Sequence, residues 1–335
     1  MRALVISRPG QFEVETVPDP TLAPDELIVA PKAVGVCGTD LHILDGHFPP
    51  AVYPLIPGHE FAGEVVAVGN EVEGLSVGDR VAVDPSLFCG HCPYCRRQRG
   101  NLCVNWGAIG DTVNGAFAEY VPIPARNAYR LTEEMTWGAG ALVEPLSCVV
   151  HGLRRLEMAA GSELLIIGAG TIGLLLLQSA SRSGAAAVDV VDPAASRREI
   201  AKALGARTAA ASIEELLDNR TIGYEYSIEA TGVPAAATAA VAGLCRGGTM
   251  LVFGVAPAEA RLPLSQFSVY NDEITVLGSM AVLNTFEPAL RLMEAGAIQV
   301  DAMVTHTYAL QDFSRAIEAV RAREGLKVQV DPSLC

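Results

Sequence analysis

The feature that most constrains this chain is a glycine triplet, GAGTIG at residues 168–173, lying between an apolar β-like run (ELLIIG, 163–168) and an apolar helical run (TIGLLLLQSASRSG, 171–184). In a chain with 32 glycines the triplet alone carries little weight. Its place at a strand-to-helix turn gives it meaning. Gly168 permits the tight turn, Gly170 lets the backbone approach a pyrophosphate, and Gly173 lets helix and strand pack closely. Thr171 and Ile172 open the helix, whose N-terminus faces the anion. The next apolar strand (AVDVVD, 187–192) ends on Asp192, at the spacing of a carboxylate that binds the adenosine ribose hydroxyls. Such a carboxylate favours NAD and repels a 2′-phosphate. Arg197 and Arg198 nearby keep NADP as the second choice, unless Arg197 stacks on adenine or both simply face solvent.

From about residue 150 to 254, short β-branched strands alternate with Ala- and Leu-rich helical stretches, the pattern of a doubly wound parallel sheet and an α/β fold. The first third differs. Runs such as LIVAPKAVGV (27–36), GEVVAVG (63–69), DRVAVDP (79–85) and AEYVPIP (118–124), broken by Gly, Pro and Asp turns, read as a mostly antiparallel β domain. Beyond residue 285 come two helical segments and a last strand, LKVQVD (326–331), able to close back on the first domain.

With 335 residues, half of them hydrophobic, the chain suits two domains with a sizeable core. A net charge of −14 and no basic stripe argue against nucleic acid or an anionic membrane as partner. Small molecules remain. The N-terminus has no long apolar secretory segment, and the apolar stretch 164–180 is broken by glycines, so the expected location is cytoplasmic and no membrane span is expected.

Four of the eight cysteines, Cys89, Cys92, Cys95 and Cys103, form C-x2-C-x2-C-x7-C, a spacing suited to structural zinc in a tetrahedral thiolate site. Disulfides are the weaker alternative in a reducing compartment. A second set is dispersed. Cys37 lies in GVCGTDLH (35–42), His59 and Glu60 in PGHEF (57–61), and Glu144 in an otherwise apolar stretch, LVEPLSCVVHG (142–152). Thiolate, imidazole and carboxylate are the donors of a catalytic zinc with one position left open. Cys148 and Cys245 read as buried packing residues and Cys335 as a tail thiol.

The GHEFAGEVVAVG segment (58–69), the four-cysteine loop and GAGTIG followed by Asp192 together resemble the zinc-dependent medium-chain alcohol dehydrogenases over essentially the full length. The resemblance implies a GroES-like zinc catalytic domain over 1–148 and 287–335, interrupted by a Rossmann NAD-binding domain over 149–286. It implies catalytic zinc on Cys37, His59 and either Glu60 or Glu144, and a proton relay through Thr39 and His42. Thr231, Gly254, Val255, Ser279 and Met280 would meet the nicotinamide half of NAD.

The reaction implied is reversible hydride transfer between an alcohol and a carbonyl, by a homodimer or homotetramer. Glu60 after His59, and Glu144–Pro145 where simpler members carry cysteine, resemble the polyol (sorbitol) and threonine dehydrogenase branch. An arginine usual in sorbitol-type enzymes is replaced by Ala281, which with Trp106, Met280 and Leu283 points instead toward smaller, less polar secondary alcohols. L-threonine is the outside alternative.

Overall fold

The structure is a computed structural model that describes residues 1–218 and 220–334; Cys335 lies outside the described residues. The chain divides into two compact units, one of Met1–Ser147, Val282–Ala295 and the residues from Val300 onward, the other of Cys148–Ala281 and Gly296–Gln299. The expected boundary at residue 286 therefore needs correction. Residues 282–286 belong to the first unit because Val282 and Phe286 are buried, the Phe286 ring lies 4.7 Å from that of Tyr129, and Thr285 donates a 2.8 Å hydrogen bond to the Ser147 carbonyl. Residues 296–299 return to the second unit, where the Gln299 amide donates to Gln178 Oε1 at 2.7 Å.

The second unit is a six-stranded, wholly parallel sheet. Its spatial order is Thr208–Ala210, Ala185–Val191, Ser162–Ile167, Tyr224–Glu229, Leu244–Val252 and Thr275–Gly278. The order reverses between Ser162–Ile167 and Tyr224–Glu229, and ligands of such sheets bind outside the strand ends at that point. Leu164, Leu165 and Ile166 are fully buried, as expected for a central strand covered on both faces. An ionic cluster ties three strands together: Arg207 reaches Asp189 and Glu163, Arg220 reaches Glu163 and stacks on Tyr224, and the Tyr224 hydroxyl donates to Asp189 at 2.7 Å. The two guanidiniums pull the Glu163 carboxyl down to about 2.

The first unit is built on a seven-stranded sheet. Strand Glu26–Gly35 is central, hydrogen-bonded antiparallel to Glu60–Val68, Val121–Pro124 and Lys327–Asp331. Arg80–Val83 and Ala128–Arg130 extend one side, and Val304–Ala309 the other. The terminal strand thus closes into the first unit. Its core gathers Leu27, Val29, Phe61, Val65, Phe117 and Phe313.

Two local differences from the sequence reading have simple causes. The stretch around Glu144 is an amphipathic helix, Val143–Leu156, with Pro145 in its first turn where a missing N–H costs nothing. The apolar run TMLVFG (249–254) predicts a strand from residue 249, but the strand starts at Leu244, with a register shift between Tyr224 and Tyr226 on its neighbour. Cys148 and Cys245 are half-buried rather than buried. Among the described residues no helix is long and apolar enough to cross a membrane.

Candidate catalytic metal and cofactor sites

Cys37 sits at the N-cap of the helix Gly38–Leu44, and its backbone amide donates to Asp40 Oδ2 at 2.7 Å, so the helix start fixes the thiol. Thr39 Oγ1 lies 3.8 Å from Cys37 Sγ. His42, three residues on and so on the same helix face, is half-buried. Glu60 begins the next strand, Glu60–Val68, and His59 directly precedes it after Gly58, whose φ of +99° an L-residue with a side chain avoids. The ligand atoms of Cys37, His59 and Glu60 all lie within 4.8 Å of one another. Glu144 is not in that group; it is buried in the first turn of its helix.

These residues fit a divalent cation. His59 Nδ1, Asp40 Oδ1 and Asp111 Oδ1 are buried without a well-aligned hydrogen bond, although Nδ1 is 3.0 Å from Asp111 Oδ1 and 3.9 Å from Asp40 Oδ1. Burial pushes His59 toward neutrality, but the charge and contact of Asp111, together with Cys37, raise its pKa well above the ordinary value. Burial raises Asp40 to about 6, against the lowering effect of His59.

One partner escaped the sequence reading. Lys327 Nζ is buried and donates to both Glu60 oxygens, at 2.6 and 2.9 Å, and to the Val36 carbonyl at 3.2 Å. Burial alone would drive Lys327 neutral; Glu60, then Cys37, raise its pKa instead. Gly35 makes the contact feasible, because a Cβ there would stand 2.1 Å from Glu60 Oε2. In sequence Lys327 is the first of three polar residues that alternate with valines in the strand Lys327–Asp331, and nothing local marks it as buried.

The four cysteines of the lobe converge as expected. Sγ–Sγ separations are 3.5 Å for Cys89–Cys103, 3.9 Å for Cys92–Cys103 and 4.0 Å for Cys89–Cys95. A tetrahedral ion with Zn–S bonds of about 2.3 Å implies sulfurs about 3.8 Å apart. Backbone amides of Cys95 and Val104 lower Cys92 to about 6, while burial raises Cys95 to about 12.

In the second unit Gly168 adopts φ +105°, and a Cβ at Gly173 would lie 1.8 Å from the Gly168 carbonyl oxygen, so only glycine fits there. Gly170 caps the helix Thr171–Ala180 and meets only Arg197, whose Nη1 would stand 3.8 Å from a Cβ there; the loop is open. Asp192 accepts from the Ala169 amide at 2.8 Å and the Ala194 amide at 2.9 Å, which orients it beside the glycine loop. Arg198 turns back onto the Asp192 and Pro193 carbonyls, so it is committed to the turn rather than to a phosphate.

Thr231 is tied by its amide, at 2.5 Å, and its hydroxyl to Glu229, a buried residue that also takes the Gly232 amide at 2.8 Å. Gly254 lies against this turn, since a Cβ there would be 2.1 Å from the Gly232 nitrogen. Val255 is 75% exposed, Met280 is exposed, and Ser279 Oγ is buried with no hydrogen-bond partner among the described residues.

Residues 23–133 match the alcohol dehydrogenase GroES-like domain, and residues 171–295 match the zinc-binding dehydrogenase domain. The chain is 37% identical to D-arabinitol dehydrogenase 1 of Uromyces fabae, over 99% of this chain and 97% of that protein. It belongs to the zinc-dependent medium-chain alcohol dehydrogenase family. Sorbitol dehydrogenase of Bacillus subtilis (strain 168) is 33% identical over 99% of this chain and 98% of its own. A zinc-binding dehydrogenase of Sinorhizobium meliloti 1021, solved bound to NADP, superposes with a TM-score of 0.94 at 34% identity, covering 99% of each chain. The enzyme is thus an alcohol oxidoreductase that works with zinc and a nicotinamide cofactor, on a GroES-like and a Rossmann domain.

Proposed function

We propose that this dehydrogenase oxidises a secondary hydroxyl of a polyol or sugar alcohol with NAD, and reduces the matching carbonyl in reverse. The observation that carries the reading is the group of half-buried Cys37 with buried His59 and Glu60, with the Thr39 hydroxyl 3.8 Å from the thiol. Cys37 and His59, with Glu60 or Glu144 as the exchanging carboxylate, would hold catalytic zinc; Cys89, Cys92, Cys95 and Cys103 would hold structural zinc. Zinc, when bound, supplies a Lewis acid that lowers the pKa of a substrate hydroxyl. Thr39 accepts the hydroxyl proton while passing its own toward His42, one helical turn away. NAD, when bound, takes the hydride. Gly168, Gly170, Thr171, Ile172 and Gly173 would cradle its pyrophosphate, with Thr231, Gly254, Val255, Ser279 and Met280 about the nicotinamide half.

NAD is preferred over NADP because Asp192 is held by two backbone amides where a 2′-phosphate would otherwise sit, and because Arg198 is committed elsewhere. Arg197 remains free to lie over the adenosine. The polyol class is supported by the arabinitol and sorbitol dehydrogenases among the relatives. Smaller secondary alcohols are the second reading, favoured by Ala281, which has φ +49° and no long polar side chain. Initial rates with NAD and NADP across pentitols, hexitols, L-threonine and short secondary alcohols decide between them. A pentitol or hexitol is expected to give the highest kcat/KM with NAD; short alcohols outpacing both would overturn the polyol reading.

We also place the enzyme in the cytoplasm, as a homodimer or homotetramer paired through the sheet edge Thr275–Gly278. Next to it the helix Gln266–Asn271 exposes Phe267 at 70% and Tyr270 at 83%. Unpaired strand edges and exposed aromatics of this kind are ordinarily covered. Phe267→Glu with Tyr270→Glu is expected to yield monomers in sedimentation; an unchanged oligomer would sink this interface.

A further inference from the structure

We propose that Asp111 is a positioning residue of the catalytic metal site, which keeps the His59 proton on Nδ1 and leaves Nε2 free for the ion. The inference rests on the reading that Cys37 and His59 are metal ligands. Its ground is the meeting of buried atoms: His59 Nδ1 is 3.0 Å from Asp111 Oδ1, and neither atom has a well-aligned hydrogen-bond partner elsewhere among the described residues, so each is the nearest group able to satisfy the other. An imidazole that ligates through one nitrogen needs its other nitrogen held by an acceptor, which selects the tautomer and sets the ring plane.

Asp111 is delivered there by backbone packing. Segment 110–116 lies against 56–59 with the Gly115 amide on the Ile56 carbonyl at 2.7 Å and the Ala116 amide on the Gly58 carbonyl at 2.9 Å. Asn114 Oδ1 accepts from the Ile56 amide at 3.0 Å. The approach is so close that a Cβ at Gly110 would stand 2.3 Å, and one at Gly115 2.4 Å, from the Gly58 carbonyl oxygen. Two glycines therefore bring the loop down onto the segment 56–59 that ends on His59, and Asp111 follows.

The two carboxylates beside His59 divide their work. Asp40 spends Oδ2 on the Cys37 amide at 2.7 Å, and its Oδ1 is 3.9 Å from Nδ1, beyond hydrogen-bond reach. Asp40 thus holds the thiol, and Asp111 holds the imidazole.

The test is the zinc content and the rate of zinc loss to a chelator in the full-length protein, wild type beside Asp111→Ala and Asp111→Asn. The visible spectrum after cobalt replaces the catalytic ion is read as well. Wild type is expected to bind zinc at both the lobe and the Cys37–His59 site. Asp111→Ala is expected to bind about 10–100-fold more weakly at the latter alone, with a shifted cobalt spectrum.

Asn keeps the shape and an acceptor oxygen, so Asp111→Asn is expected to fold, to fall between the two in affinity and to keep a spectrum near that of wild type. Unchanged affinity and spectrum in both variants would overturn the role of Asp111, as would equal zinc loss from the lobe, which would mark a general structural defect. Wild-type protein with zinc in the lobe alone would instead overturn the catalytic-metal reading beneath it.

Discussion

Replacing Cys37 by alanine is expected to lower kcat/KM by about a thousandfold or more while leaving the four-cysteine lobe metallated. The size follows from the chemistry. A Lewis acid on the reacting oxygen contributes several kcal/mol to the transition state, and each 1.36 kcal/mol is about tenfold in rate. The selectivity follows from the architecture, because the lobe's sulfurs come from a single loop, whereas Cys37, His59 and Glu60 form a separate group. Metal analysis beside initial rates checks both halves. Full activity in Cys37→Ala, or loss of the lobe zinc along with it, would remove the assignment of the two sites. Cys37 also caps the helix Gly38–Leu44, and of its capping contacts alanine retains the bond from the backbone amide to Asp40 Oδ2.

Lys327→Met is expected to destabilise the metal-free protein by about 3–5 kcal/mol, the usual consequence of stripping one partner from a buried ion pair. The pair is strongly buried, with Lys327 at 5% and Glu60 at 2% exposure, and both Glu60 oxygens depend on the ammonium. Without it the carboxylate is left charged beside the Cys37 thiol. Two further results follow from that cause. Adding Glu60→Gln should recover most of the loss, since a neutral amide needs no countercharge. Zinc should narrow the gap between Lys327→Met and wild type, because the cation neutralises the same carboxylate. Denaturant unfolding with and without zinc, on both variants and wild type, measures all three. A deficit unaffected by either change would mean that Lys327 only fills space.

The ammonium also bears on catalysis. With Lys327 gripping Glu60, the carboxylate stands within reach of Cys37 and His59 yet is restrained by a competing cation.

The signals legible in the chain were those whose cause is local. The glycine loop is legible because Gly173 has no room for a side chain, whose Cβ would stand 1.8 Å from the Gly168 carbonyl oxygen, and because Gly168 turns at φ +105°. Cys89, Cys92, Cys95 and Cys103 were legible as a converging set of metal donors because their convergence needs only a short loop to close. The alternation of strands and helices from 150 to 254 likewise reports its sheet, since each crossover is built from adjacent residues. Cys37 and His59, with Glu60 or Glu144, were legible as the donors of one site; which carboxylate stands within 4.8 Å of the other two was not.

What tertiary structure alone decided are the contacts between distant segments. Lys327 lies 267 residues from Glu60 and meets it across a strand whose Gly35 has no side chain to block the way. Asp111 reads in sequence as one polar residue of a turn, and comes within 3.0 Å of His59 only because Gly110 and Gly115 let its loop settle on the segment 56–59. Residues 282–286 look like the tail of the cofactor domain, but burial of Val282 and Phe286 assigns them to the other unit. Residue types and their spacing determined which chemistry this chain carries, because metal donors and glycine turns act over a few residues. How the metal site is braced was decided by the fold, because a buried charge takes its partner from whatever strand passes within about 3 Å, however far away in sequence.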